Sequence, residues 1–374
     1  MVRSGQLGCP GEMVGEGTAL EASRTGRRII ERPRLTRLLT ESESRVMLLV
    51  APAGYGKTTL AREWLHERQN VWYQATPASS DVAALALGLV CTGSEVIPDV
   101  GEQLRGRLKT LTDSAFEAES LAADVAHDLR GWPNGVRLVI DDYQLLAESP
   151  AAELFVKKLV EMTLLPLLII SRARPSWVTA KSLLYGDIIE LGRNVLAMTH
   201  SEAAEALANS HEEIPGLVTL AEGWPAVIGL AALVPYALPQ SASDIPETLH
   251  QYFAEELFDA VSDDARWHAV QLSIAPLIDE TVTRALFGEH RSDVLEQSYR
   301  HGFLARTVDS FEMHPLVRQF LRKKLNEFDP KQARSTAEAI ATAYADGHSW
   351  DESASVAAEF QLIDIMLRVL TQAL

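Results

Sequence analysis

At 374 residues, with 47% hydrophobic and 23% charged side chains, the chain exceeds the size at which one hydrophobic core stops growing and is expected to build two or more compact units. A formal charge of −17, from 34 basic and 51 acidic residues, repels phosphate backbones and argues against direct binding of nucleic acid. No apolar run reaches the roughly 18 residues of a membrane span, and Cys9 and Cys91 stand far apart without metal-ligand partners at a useful spacing, which argues against a zinc site or a disulfide framework and fits a reducing, cytoplasmic compartment.

Six glycines in the first 26 residues and no apolar secretory segment read as a disordered tail over 1–26. The basic cluster Arg24, Arg27, Arg28, Arg32, Arg34 and Arg37 reads as a solvated face or a flap over a nucleotide in preference to a DNA contact. From 27 to 195, short apolar runs at 46–50, 71–73, 136–140, 165–170 and 187–191 alternate with helical stretches. Continuous apolar strands separated by helices predict an α/β core with a parallel sheet covered on both faces.

The first run leads into Ala51-Pro52-Ala53-Gly54-Tyr55-Gly56-Lys57-Thr58-Thr59 and then a helical stretch, the strand, loop and helix context of a P-loop. Gly54 and Gly56 let backbone N–H groups turn onto phosphate oxygens, Lys57 reaches the β- and γ-phosphates, and the Thr58 hydroxyl ligates Mg2+. Ala51 replaces the first glycine of the pattern, a small-for-small change. The third run ends in Asp141-Asp142: Asp141 is expected to hold Mg2+ through its water, and Asp142 to orient or deprotonate an attacking water. The fourth run enters Ser171-Arg172-Ala173-Arg174-Pro175, where Arg172 could sense the γ-phosphate or make a surface salt bridge; Arg174 is the less favoured sensor.

Beyond 195 helices dominate. Thr199 and Glu202 are spaced as a capping box, and Pro225 is expected at the start of a helix; residues 196–244 read as a helical lid. Several amphipathic helices over 245–328, then Gly302-Phe303-Leu304 and Phe311-Glu312-Met313 around the turn Asp309-Ser310, suggest a winged-helix module. Ala-rich segments at 332–345 and 351–370 within 329–374 read as the beginning of TPR-like helical repeats. A lone repeat cannot bury its own face, so the chain reads as one that stops early.

The ordered set Arg32-Pro33-Arg34-Leu35, APAGYGKTTL, LVIDDYQLL, IISRARPSW, AEGWPAVIGLAAL and MHPLVRQFL resembles the STAND class of signal-transducing P-loop ATPases, specifically the nucleotide-binding part of MalT-like (LuxR-type) bacterial transcriptional regulators. The resemblance spans about 27–325. It implies that Arg34, Tyr55 and Thr59 belong with the nucleotide-binding residues, that Pro225 packs beside adenine, and that His314 reaches back to the β-phosphate of ADP. It also implies a switch using ATP/ADP and Mg2+, closed with ADP, open and self-associating with ATP plus an inducer or regulatory protein, with slow hydrolysis. DNA would be met only through a domain outside these residues, and no membrane partner is implied. Two alternatives stand beside this reading: a P-loop phosphotransferase acting on a small substrate, and a non-hydrolysing ADP-bound scaffold.

Overall fold

The computed structural model describes residues 31–98, 100–109, 117–147, 149–207, 221–233, 247–306 and 311–372. The expected tail, part of the basic cluster, parts of the lid and the turn Asp309-Ser310 lie outside them. Each of the five apolar runs is a strand: β1 Val46–Val50, β2 Asn70–Gln74, β3 Arg137–Asp141, β4 Leu167–Ser171 and β5 Ile188–Gly192. They form one parallel sheet in the order β2-β3-β4-β1-β5, with Tyr73 opposite Ile140 and Ile140 opposite Ile169. The interior strands β1 and β4 are buried at every position, whereas the edge strands β2 and β5 mix buried and half-exposed residues. Their composition follows their place, since only interior strands are covered along their whole length.

The helices linking these strands are α1 Pro33–Glu41, α2 Lys57–Leu65, α3 Val82–Gly93, α4 Glu102–Leu108, α5 Ala118–Asp128, α6 Pro150–Met162 and α7 Ala180–Leu184. Local chemistry fixes several of their starts. The Asp81 carboxylate accepts the Ala84 N–H at 2.9 Å, and the Ser149 hydroxyl accepts that of Ala152 just ahead of Pro150, each satisfying a helix-terminal donor.

Downstream come α8 Arg193–Leu196, α9 His200–Leu207, α10 Pro225–Leu233, α11 Glu247–Phe253 with a π-helical turn at Ala254–Phe258, α12 Asp263–Ile274, α13 Glu280–Phe287 and α14 Arg291–Arg300. The antiparallel pair β6 Ala305–Arg306 and β7 Phe311–Glu312 follows, then α15 Pro315–Lys324, α16 Pro330–Asp346, α17 Trp350–Glu359 and α18 Ile363–Gln372. The capping box forms reciprocally: Thr199 N–H donates to Glu202 Oε2 at 2.9 Å and Glu202 N–H to Thr199 Oγ1 at 3.2 Å. Pro225 opens α10, as expected.

Two expectations are corrected. The first hairpin strand is Ala305–Arg306 rather than 302–304, because 302–304 terminates α14. Gly302 takes φ +87°, its N–H donates to Tyr299 O, and the Phe303 N–H reaches Ser298 O, the paired bonds of a Schellman cap. The segment 351–370 is two helices rather than one. Gln361 adopts φ +53° with its N–H on Ala358 O and the Leu362 N–H on Ala357 O, the same cap built without glycine. The break lets Leu362 join a buried cluster with Ile274, Val282, Ile340, Tyr344 and Val356, so α16 and α17 share one core with α12 and α13.

Contacts divide the chain into two compact units. One draws on the segments Met1–Val46, Ala61–Ile169 and Ser176–Ile188, the other on Met47–Leu60, Ile170–Pro175 and Ile189–Leu374. The loop between β1 and α2 therefore belongs to the same unit as the helices that follow β5 and the winged-helix segment. Among the described residues no helix is long and apolar enough to cross a membrane.

Candidate nucleotide-binding site

The loop between β1 and α2 is held by its carbonyls. Lys57 Nζ donates to Ala51 O at 2.7 Å and to Pro52 O at 2.9 Å. Ala53 O accepts the Trp224 indole N–H at 3.0 Å, and Gly54 O and Gly56 O accept the N–H groups of Ala226 and Leu60. With these acceptors engaged by other groups, the loop suits a cradle whose donors are backbone amides. Gly54 and Gly56 both adopt left-handed backbone, φ +77° and +74°. Gly56 has open space where a Cβ would stand, so conformation alone requires glycine there. At Gly54 a Cβ would lie 2.3 Å from Tyr252 Oη, 2.6 Å from Ala226 Cβ and 2.8 Å from Trp224 Nε1. Thr58 and Thr59 follow in the first turn of α2, half-buried and exposed respectively.

Trp224 and Ala226 are brought to Gly54 by the Gly223-Trp224-Pro225 turn. Gly223 has φ +73°, and a Cβ on it would lie 2.5 Å from Met198 O; its own carbonyl accepts the Met198 N–H at 2.7 Å. This turn seats Trp224 in the core at 2% exposure. Its ring stacks on Tyr55 (5.8 Å, 22°), lies 5.2 Å from Phe253 and meets His314 edge-on at 4.9 Å. Pro225 is half-buried at the first position of α10.

His314 is the N-cap of α15. Its Nδ1 accepts the Leu316 N–H at 3.2 Å, so the remaining ring nitrogen carries the proton of the neutral imidazole, and Nε2 donates to Ala221 O at 3.2 Å. Burial, followed by the nearby Arg193 guanidinium, presses its pKa from 6.5 to about 4. Arg193, in the first turn of α8, donates from Nε to Tyr55 Oη at 2.9 Å and from Nη2 to Glu222 Oε2 at 2.8 Å. The same Glu222 oxygen is 3.7 Å from His314 Nε2. Burial pushes the Tyr55 phenol up, against the opposing pull of Arg193, so the hydroxyl is neutral when it accepts from Arg193.

The other expected residues form their own groups. Asp141 is buried at the end of β3, its Oδ1 accepting the Asp142 N–H at 2.9 Å. Asp142 takes φ +54°, uncommon outside glycine, and both its oxygens are occupied, by Gln74 Nε2 at 2.5 Å and Gln144 Nε2 at 2.8 Å. Arg172 donates from Nη1 to Glu256 O at 3.0 Å, with Nη2 3.7 Å from Glu256 Oε2, which ties the end of β4 to the π-helical turn after α11. Arg174 makes a bidentate pair with Glu190 at 2.6 and 2.8 Å. Arg34 stands half-buried in the first turn of α1, and its link to nucleotide rests on the resemblance.

A family model of the AAA domain matches residues 40–173, and one of the MalT winged helix domain matches residues 254–333. Residues 40–173 are thus similar to an AAA domain and residues 254–333 to the winged helix of MalT. The chain is 25% identical over 374 aligned residues to the HTH-type transcriptional regulator MalT of Vibrio cholerae, covering 92% of this chain and 40% of that protein. It is 28% identical over 313 aligned residues to MalT of Yersinia pestis, covering 78% of this chain and 34% of that protein. The chain thus spans well under half the length of these curated relatives, and the homology is distant. Among solved structures it resembles a STAND protein with a tetratricopeptide repeat sensor from Pyrococcus horikoshii (16% identity, TM-score 0.38, 91% of this chain and 50% of that one). It also resembles a Walker-type ATPase of Pyrococcus abyssi (17% identity, TM-score 0.47, 79% and 96%).

The AAA domain implies nucleotide binding. Four contacts of this region had no local signature in the sequence. Tyr252 covers Gly54, Arg193 holds Tyr55, Glu256 engages Arg172, and Gln74 engages Asp142. Of these, Gln74 could have been anticipated, because it ends the strand paired in register with Asp141.

Proposed function

We propose that the chain is a nucleotide-gated switch of the STAND type, acting in transcriptional regulation within the cytoplasm, with ATP and ADP as its states. Lys57 and the loop amides bind the phosphates, with Arg34, Tyr55 and Thr59 counted among the nucleotide-binding residues. Thr58 supplies one oxygen to Mg2+, and Asp141 is assigned to the same ion through water. Mg2+ takes oxygen ligands while keeping several waters, and a threonine hydroxyl and an aspartate carboxylate are oxygen donors of that kind. Bound there, Mg2+ would neutralise phosphate charge. Pro225 lies beside the base. Arg172 answers the γ-phosphate by exchanging its hold on Glu256, and His314 answers ADP with its single N–H, the one it gives to Ala221.

The observation that carries this reading is the seating of the lid on the loop: Gly54 accepts a hydrogen bond from α10 and is covered by Trp224 and Tyr252, while Trp224 meets His314. A loop so covered cannot change conformation without disturbing the winged helix, which is the two-state element a switch requires. Asp142, with both oxygens engaged by glutamine amides, supports slow hydrolysis. A γ-phosphate-dependent open state that self-associates in response to an inducer or regulatory protein completes the proposal, DNA being met through a part of the regulator other than this chain.

Calorimetric titration with ADP tests the assignment. Lys57→Ala is expected to abolish binding, and His314→Ala to weaken it roughly tenfold or more, the worth of a hydrogen bond to a charged group. Parent-like ADP affinity in both variants would show the site assignment to be wrong.

A further inference from the structure

Tyr55 lies between the two left-handed glycines of the phosphate loop, so a displacement of its ring is felt by the amides on both sides. Its ring is 1% exposed and stacked on Trp224, and its hydroxyl accepts from Arg193 at 2.9 Å. Arg193 follows directly on β5, a fixed strand end, and its second arm reaches Glu222, which adopts φ +48° immediately before Gly223. Glu222 Oε2 approaches His314, and His314 bonds the neighbouring carbonyl of Ala221. Trp224 closes the circuit, meeting His314 in a T-shaped contact and Tyr55 in a stacked one. The ring of contacts thus runs from the phosphate loop through α8 and the lid turn to the winged helix and back.

Resting on the reading of the loop as a nucleotide site, we infer that Arg193 is a positioning residue that, through the Tyr55 hydroxyl, couples the conformation of the phosphate loop to the docking of His314. The two arms of Arg193 are unequal. The Glu222 side chain is 48% exposed, and an ion pair with so exposed a partner contributes little. The Tyr55 bond sits on a buried ring and involves a charged donor, so it bears most of the coupling. The role needs a fork. A guanidinium can hold the phenol and the carboxylate at once in fixed directions, which an ammonium does poorly. With the bond made, the loop, the lid turn and His314 move together; with it broken, the loop relaxes without reference to the winged helix.

The test is the dissociation rate of a fluorescent ADP analogue, by stopped flow on the full chain, for the parent, Tyr55→Phe, Arg193→Ala, Arg193→Lys, His314→Ala and the Tyr55→Phe/His314→Ala double variant. Tyr55→Phe keeps the ring on Trp224 and removes only the hydroxyl, so it remains informative if Arg193→Ala fails to fold. Tyr55→Phe and Arg193→Ala are each expected to release the analogue about tenfold faster. Arg193→Lys is expected to restore little. The double variant is expected to release no faster than His314→Ala alone, because both changes break one coupled unit. Parent-like release by Tyr55→Phe, full rescue by Arg193→Lys, or additive effects in the double variant would overturn the coupling. Lys57→Ala separates the two readings: retention of the analogue there defeats the nucleotide site itself, whereas its loss with a silent Tyr55→Phe defeats only the relay.

Discussion

His314 illustrates how one side chain takes its state from two neighbours. The Leu316 N–H needs an acceptor at Nδ1, and Ala221 O needs a donor at Nε2; only the neutral ring with its proton on Nε2 meets both. Protonation would put a second N–H against that of Leu316, in a buried position beside Arg193, with Glu222 as the facing carboxylate among the described residues. The folded pKa of about 4 lies below the ordinary 6.5, so between these values the unfolded chain binds a proton that the folded chain does not. The stability this group contributes is present above about pH 6.5 and is lost as pH falls towards 4. Lowering pH from 7 to 5 is expected to remove roughly 2 kcal/mol through this residue. Urea unfolding of the parent and His314→Gln at both values checks this; parallel losses in the two proteins would contradict it. At this scale the sequence was legible where chemistry is local. Gly56 and Lys57 declare themselves within a loop, whereas Arg193 carries no signal, because its partners Tyr55 and Glu222 are brought to it only by the fold.

At the scale of elements, what could be read depended on whether the element is set by its own residues. The five strands were legible because each is a nearly continuous apolar run, and the start of α9 because Thr199 and Glu202 are spaced to cap it. The hairpin was placed too early, since Phe303 and Leu304 look like strand residues yet complete the cap of α14, a bond pattern decided by Ser298 five residues back. The break before α18 was missed because a glutamine, not a glycine, occupies the left-handed position. That position makes a prediction. A non-glycine residue at φ +53° costs about 1–2 kcal/mol, partly offset by the greater freedom glycine gives the unfolded chain. Gln361→Gly is expected to stabilise the protein by about 0.5–1 kcal/mol, read as a rise in the denaturant midpoint; a fall would mean that the left-handed cap is not the feature that sets this helix end.

On the scale of the whole molecule, the informative feature is where the phosphate loop falls. Together with most of β1 and β5, it groups with the helices after β5 and the winged-helix segment in one compact unit, where Gly54 and Tyr55 meet Trp224. That grouping was invisible in the sequence, because the loop and His314 are more than 250 residues apart; only the order of the motifs hinted at it. The central claim is that the nucleotide bound at this loop sets how firmly the winged helix is held. Hydrogen exchange of residues 311–324, compared with ADP and with a non-hydrolysable ATP analogue, tests it most directly. The account predicts greater protection of this segment with ADP than with the analogue, and no difference between them in Lys57→Ala. Equal protection in both nucleotide states of the parent, at saturating occupancy, would contradict it.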